Sequence, residues 1–206
     1  MNSLPPLMTY GLILSILVIS SIGFSKSNII QDYSHFPYLE KRYRQFYRWL
    51  SCGFLHANWL HLGLNLFVLY QFGSTIEQVY KSQFGFYIGG FLFITIYFII
   101  LVAGCIPTYF HHLNNTRYSS IGASGAISGI LFIYVLYYPF QLLYLFGMVP
   151  IPAILFAPLY LIYSWWASKN PNDHIDHYAH FYGSIIGLFL GPVSYTHLTL
   201  PTNREV

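Results

Sequence analysis

The chain has 206 residues, of which 55% are hydrophobic and 7% charged, and its mean hydropathy is +0.51. An average soluble domain carries roughly 25% charged residues, so this composition excludes a water-exposed surface and makes lipid the solvent. The formal charge of +3 comes without a basic stripe among the nine Lys and Arg, so nothing points to a nucleic-acid partner.

A helix that crosses a bilayer needs about 20 mostly apolar residues. The first such run is Leu7 to Phe24. Ser21 and Gly23 make a small-x-small pair near its end, but no Lys or Arg precedes it as in a secretory signal, so a retained helix is expected. A polar and aromatic stretch from Ser25 to Trp49 follows and holds seven of the fifteen charged residues. The second span is expected from Asn58 to Gln78 and the third from Phe84 to Ile106, joined by a turn at Lys81-Ser82-Gln83. Pro107 to Ser120 reads as a polar loop with His111, His112, Asn114 and Asn115. The fourth span opens at Ile121 and fades near Tyr138. Phe140 to Val149 is apolar but hemmed in by Pro139, Pro150 and Pro152, which suits a loop on the membrane surface better than a helix interior. The fifth span is Ala153 to Ala167, and the sixth starts near Ile175 and is readable to Val193.

The expected fold class is therefore all-α, a polytopic six-helix membrane bundle over residues 1–193 without internal repeat or soluble domain. Residues 194–206 break the apolar pattern and read either as an exposed tail or as foreign sequence replacing the end of the last helix. Cys52 and Cys105 lie in or beside apolar runs, show no pairing pattern and read as packing residues.

Polar side chains at membrane depth are costly and mark functional sites. Gly122-Ala123-Ser124-Gly125 puts a serine where a loop opens a helix, and backbone N–H groups there have no intrahelical partner and can bind an oxyanion. The plain alternative is packing, since Gly125 and Gly129 form a G-x-x-x-G face that Ser128 continues. In Ala179-His180-Phe181-Tyr182-Gly183, with Gly187 beyond, one histidine sits above a second small-residue face. Two glycine faces can pack at backbone contact, the approach a serine and its histidine base need to come within roughly 2.6–3.2 Å. His61 and Asn65 stand four apart on one helix face, with His56 upstream. They can donate to developing negative charge, or act as interhelical hydrogen-bond glue. Arg48 in the string Phe46-Tyr47-Arg48-Trp49 reads as an interfacial anchor, and Glu77 near a helix end as a group reaching water.

Taken in order, Tyr47-Arg48, His56-x4-His61-x3-Asn65, Gly122-x-Ser124-Gly125 and Ala179-His180-x2-Gly183-x3-Gly187 resemble the rhomboid family of intramembrane serine proteases, from about Leu7 to Val193. The resemblance implies a Ser124–His180 dyad without a third acid and without cofactor or metal. It implies an oxyanion hole of His61, Asn65 and the Ser124 N–H, with the Ala123 N–H assisting. His56 and Arg48 would be structural, Arg48 bracing a first loop that lies sideways in the outer leaflet, and Gly125 and Gly183 would support the helix contact. The substrates would be transmembrane segments of other proteins, entering sideways near the second and fifth spans, with the oligomeric state left open. Lys26, Lys41, Arg42, Arg44 and Arg48 in the first loop would place it in the cytoplasm by charge bias. The resemblance places it outside, and that orientation is the one expected, in a prokaryotic inner membrane with the site opening to the extracytoplasmic side.

The sequence departs from the family pattern at Tyr47, where Trp is frequent, and at its shortened last helix. Ser128 stands where the family commonly has an aromatic that stacks on the catalytic histidine, so another group must hold the His180 ring. Two rivals are a catalytically inactive rhomboid-like binder of membrane helices and a membrane metalloprotein. The second rests on His174, His177 and His180, but successive residues three apart drift around a helix by about 60°, and no H-E-x-x-H is present.

Overall fold

The structure, a computed structural model, describes residues 5–145, 148–169 and 175–195, without the side chains of residues 27, 145 and 193–195. The chain runs through α1 (Leu7–Ser25), α2 (Ser27–Tyr33), α3 (Pro37–Tyr43) and α4 (Arg48–Ser51), then a 3-10 turn at Cys52–Phe54. It continues through α5 (Trp59–Val68), a π-turn at Leu69–Gly73, α6 (Ser74–Phe84) and α7 (Phe86–His112). After a loop come α8 (Ser124–Tyr137), the strands β1 (Leu142–Leu145) and β2 (Val149–Pro152), α9 (Ala153–Ala167) and α10 (His177–Tyr195). Helix α10 reaches Tyr195, two residues into the stretch read as a tail, and residues 196–206 lie outside the described residues.

Two of these helices, α1 and α7, are long and apolar enough to cross a membrane, or three when the segment Arg48–Phe54 and the helix Trp59–Phe84, bent by 96° at their junction, count as one. Helices α8 and α9 are apolar but have 14 and 15 residues, about 21–23 Å of rise against a hydrocarbon core of about 30 Å. Large apolar side chains such as Leu14, Ile88, Phe91, Leu159, Ile162 and Phe189 are exposed along the helix surfaces, which is the surface of a protein bathed in lipid.

Three sequence expectations need correction. The turn between second and third spans falls at Gly85, whose φ of +84° favours glycine, and Lys81 to Gln83 remain helical. Helix α7 continues through Pro107 to His112, because a proline inside a packed membrane helix breaks only a local hydrogen bond that neighbours compensate. Within the stretch read as a surface loop, Leu142–Leu145 pairs antiparallel with Val149–Pro152, Leu142 facing Pro152 and Tyr144 facing Pro150. In a two-stranded sheet every strand is an edge, so proline, which lacks an N–H, is tolerated. The fold is thus mostly helical, with one hairpin among the described residues.

The stretch after α1 is a tied assembly rather than a free loop. Arg48 is buried, donating Nη1–H to the carbonyls of Gln31 and Ser34 at 2.9 and 3.0 Å and Nε–H to Gln45 Oε1 at 2.8 Å. Glu40 accepts from His35 Nδ1, the Phe36 amide and Trp49 Nε1 at 2.7–2.8 Å. Burial is the largest single influence on the His35 pKa and lowers it, but the Glu40 hydrogen bond together with the nearby acidic groups outweighs burial, and the net direction is upward. His35 and Ser120 exchange both backbone hydrogen bonds at 3.0 Å, which fastens this assembly to the loop before α8.

Glu77 does not reach water. It is fully buried, accepting from the Met8 and Thr9 amides at 3.0 and 2.7 Å and from Thr9 Oγ1 at 2.7 Å. Those amides belong to the first turn of α1, where N–H groups have no intrahelical acceptor and a negative charge is favoured. Lys81, one turn on, completes the cluster with an ion pair to Glu77 at 2.6 Å and a bond to the Pro5 carbonyl at 2.7 Å.

Candidate active site

Helix α10 packs more extensively on α8 than any other two elements pack together. The reason is glycine. A methyl added to Gly183 would run into the Gly125 carbonyl, and one added to Gly187 into the Gly129 carbonyl. Without side chains at these positions the two backbones touch, the close approach that small residues permit between membrane helices. Ser124 opens α8 and His180 lies in the first turn of α10, so the touching ends of both helices carry the two polar side chains. His180 Nε2 and Ser124 Oγ are 2.6 Å apart. With the hydroxyl donating, Nε2 is unprotonated and positioned to accept the serine proton.

The loop before Ser124 is held in a specific shape. Gly122 has φ +130°, a conformation that side chains rarely adopt, and its N–H donates to the Cys52 carbonyl at 3.0 Å. A Cβ on Gly122 would lie 3.1 Å from His61 Nε2 and 3.6 Å from Ser124 Oγ, so the imidazole and the hydroxyl border the same small space. The Ser124 N–H, at the first helical position, has no carbonyl behind it to bond within the helix.

His56 joins three segments. The Ser20 hydroxyl donates to the Phe54 carbonyl at 2.8 Å, so it accepts from His56 Nδ1–H at 2.9 Å. That tautomer leaves His56 Nε2 bare, and the Ala123 N–H points to it at 3.5 Å. The Ala123 amide, expected to assist an oxyanion, is in this structure turned toward His56. Asn65 is buried and donates Nδ2–H to the His61 carbonyl at 2.9 Å, which occupies one of its two amide hydrogens within the helix.

Three residues take part in roles that the sequence reading did not give them. Asp176 precedes α10 and accepts from the Ala179 N–H at 2.9 Å as an N-cap, from Thr108 Oγ1 of α7 at 2.8 Å and from Ser120 Oγ at 2.9 Å. It therefore ties the histidine's helix to the serine's loop. An aspartate just ahead of an apolar helix is a capping signal that the sequence does offer. Tyr160 of α9 brings its hydroxyl to 2.7 Å from Ser128 Oγ, so the neighbouring helix supplies an aromatic beside the position where the family pattern has one. His177, buried, meets the His180 ring edge to face at 5.8 Å and is itself backed by Tyr163 at 5.8 Å, which confines the imidazole from that side. Of the three histidines behind the metalloprotein rival, His180 turns Nε2 to Ser124 and His174 lies outside the described residues.

Asp176→Ala is expected to lower stability by about 2 kcal/mol or more, since it removes a cap and strands two hydroxyls bonded to a charged group. Asp176→Asn, which keeps the acceptor oxygen, should recover most of the loss in a thermal melt, and equal melts for the two variants would show that the carboxylate's oxygens are unimportant.

The family model of the Rhomboid domain matches residues 43–196. Rhomboid-like protein 11, chloroplastic, of Arabidopsis thaliana is 33% identical over 99 residues, covering 48% of this chain and 32% of that protein. RHOMBOID-like protein 12, mitochondrial, of the same plant is 26% identical over 144 residues, covering 66% of this chain and 43% of that protein. The chain thus spans less than half the length of either relative.

Proposed function

The chain belongs to the rhomboid family, and from that premise we propose that it is an intramembrane serine endopeptidase cutting transmembrane segments with Ser124 as nucleophile and His180 as base. The observation that carries this reading is the 2.6 Å contact between His180 Nε2 and Ser124 Oγ across two glycine-faced helices. Attack by Oγ on a peptide carbonyl passes the hydroxyl proton to Nε2. The carbonyl oxygen becomes negative in the space bordered by the Ser124 N–H and His61. Nε2 then gives its proton to the leaving amine, and water, deprotonated by the same imidazole, releases the acyl group from Ser124. The six crossings in this reading are α1, α5 with α6, α7, α8, α9 and α10, with the short helices extended by their flanking loops. The site opens to the extracytoplasmic side. The two relatives carry chloroplastic and mitochondrial names, which do not support the prokaryotic membrane expected from the sequence.

The deciding experiment is labelling by a fluorophosphonate in detergent, comparing the natural chain with Ser124→Ala. Labelling confined to the natural chain supports the reading, and absence of labelling in both supports a helix-binding protein that does not cut. Cleavage of a model transmembrane substrate should survive strong chelators, and its loss with recovery on adding zinc would favour a metalloprotein.

His61→Ala should lower kcat by about 10²–10³, the usual effect of removing one oxyanion donor. Asn65→Ala should cost roughly tenfold, less than His61→Ala because one amide hydrogen is already engaged with the His61 carbonyl. His56→Ala should act mainly through stability. Measuring kcat and the unfolding temperature on each variant separates the roles, and a normal kcat in Asn65→Ala would make that residue helix glue alone.

A further inference from the structure

Cys52 and Cys105 are the chain's two cysteines, 53 positions apart, and the fold brings their sulfurs to 3.9 Å. Cys52 opens the 3-10 turn after α4, and Cys105 sits on α7. Both are buried, and each thiol lies near the Trp49 carbonyl, at 3.6 and 3.7 Å. The pair also has a position that bulk packing does not demand. It lines a cavity of about 20 Å³ whose other walls include Ser120, Gly122, Ser124 and Asp176. That volume accepts one molecule of about the size of water.

The turn carrying Cys52 is mechanically joined to the candidate nucleophile. The Cys52 carbonyl holds the Gly122 N–H at 3.0 Å, and Gly122 borders both His61 and Ser124. On its other side the turn is pressed against α7, where a Cβ on Gly53 would meet the Leu101 side chain at 2.7 Å. We propose that Cys52 and Cys105 form a reversible disulfide that switches off the Ser124–His180 site, with a small hydroperoxide as oxidant. The proposal rests on the protease reading for what is switched, and on the cysteine geometry for the switch.

The chemistry balances with that oxidant. The sulfur of one cysteine, as thiolate, attacks the O–O bond, becoming a sulfenic acid while the other oxygen leaves as water or an alcohol. The second thiol attacks the sulfenic sulfur, the S–S bond forms and the sulfenic oxygen leaves as water. Two thiols and one hydroperoxide thus give one disulfide, one water and one further water or alcohol. A dithiol reductant reverses the bond by exchange. Because a disulfide bond is about 2.05 Å long, the sulfurs must close by nearly 2 Å. Side-chain rotation takes up part of this movement. The remainder falls on the Cys52 turn, because Cys105 is fixed within a 27-residue helix. Movement of that turn displaces the Gly122 amide and with it the loop that presents Ser124.

The test uses the full chain in detergent with a model transmembrane substrate, before and after hydrogen peroxide and again after dithiothreitol. Thiols are counted on the denatured chain with a maleimide-polyethylene glycol. The expected result is two additions in the reduced chain and none after peroxide. Cleavage should fall by about 10²-fold with the bond formed, the usual cost of displacing reacting groups by about 1 Å, and should return with dithiothreitol. Cys105→Ser should cleave normally and resist peroxide. Two additions persisting after peroxide would overturn the disulfide. A disulfide without loss of cleavage, or equal inactivation of Cys105→Ser, would overturn the switch. If the reduced chain does not cleave at all, the protease reading and the switch fall together, while the thiol count still decides the bond.

Discussion

Ser124→Ala and His180→Ala are each expected to abolish cleavage of a model transmembrane substrate, by on the order of 10⁴–10⁶-fold, while leaving the chain folded. The asymmetry between activity and stability follows from what each residue holds. Among the described residues the Ser124 side chain makes one hydrogen bond, to His180, so its loss costs folding only about 0.5–1.5 kcal/mol. The helix contact beneath depends on Gly125, Gly129, Gly183 and Gly187, which neither substitution touches. On the proposed mechanism the oxygen that attacks and the nitrogen that takes its proton form one unit. The double variant should then be no slower than either single one. Cleavage rates measured beside thermal melts decide the matter. Substantial residual cleavage in Ser124→Ala would remove serine chemistry from this protein, and a collapse of the melt in His180→Ala would make that histidine a packing residue.

Gly183→Ala is expected to be among the most damaging single-methyl additions. The new Cβ meets the carbonyl oxygen of Gly125, a backbone atom inside α8 that cannot swing aside as a flexible side chain would. Overpacking of this kind typically costs about 1–3 kcal/mol, and an unyielding backbone neighbour places the cost at the upper end. The only relief is for α10 to move away from α8, which lengthens the contact between His180 and Ser124. Displacement by about 1 Å at a reacting group costs on the order of 10²-fold in rate. Stability and kcat should therefore fall together. Gly11→Ala on α1 and Gly63→Ala on α5 are the controls, because a Cβ at either position has nothing within 4 Å. A Gly183→Ala protein with a normal melt and normal turnover would show that the helices do not need this contact.

What could be read in advance was whatever repeats within a helix or stands beside its end. The bounds of α9 follow from apolar length and flanking polarity, and α1 differs from the expected run by one residue at its end. Ser124 and His180 could be singled out because each heads a face of glycines, a local pattern. What escaped was set by partners distant in sequence. Pro150 and Pro152 argued against a helix but carried no information about their pairing with Tyr144 and Leu142. Pro107 argued for a helix end, yet tertiary packing carries α7 five residues farther. Glu77 is separated by 68 residues from the Thr9 hydroxyl it accepts from, so an apparently solvated acid proved to be buried. Cys52 and Cys105 likewise lay on unrelated segments, and no spacing rule announced that their sulfurs meet.

The carboxylate of Glu77 also bears on the order in which the molecule is made. Helix α1 leaves the ribosome before α5 and α6, and the Met8 and Thr9 amides in its opening turn then have no acceptor inside the hydrocarbon. Their acceptor is some 70 residues away and becomes available only after α5 and α6 have been synthesised and turned back. Until then the start of α1 is stable only where headgroups or water can reach it. Its final depth in the bilayer is therefore set late, when Glu77 arrives with Lys81 as its counter-charge and both charges become enclosed in one step. Helix α1 is in this sense locked only by a segment made well after it.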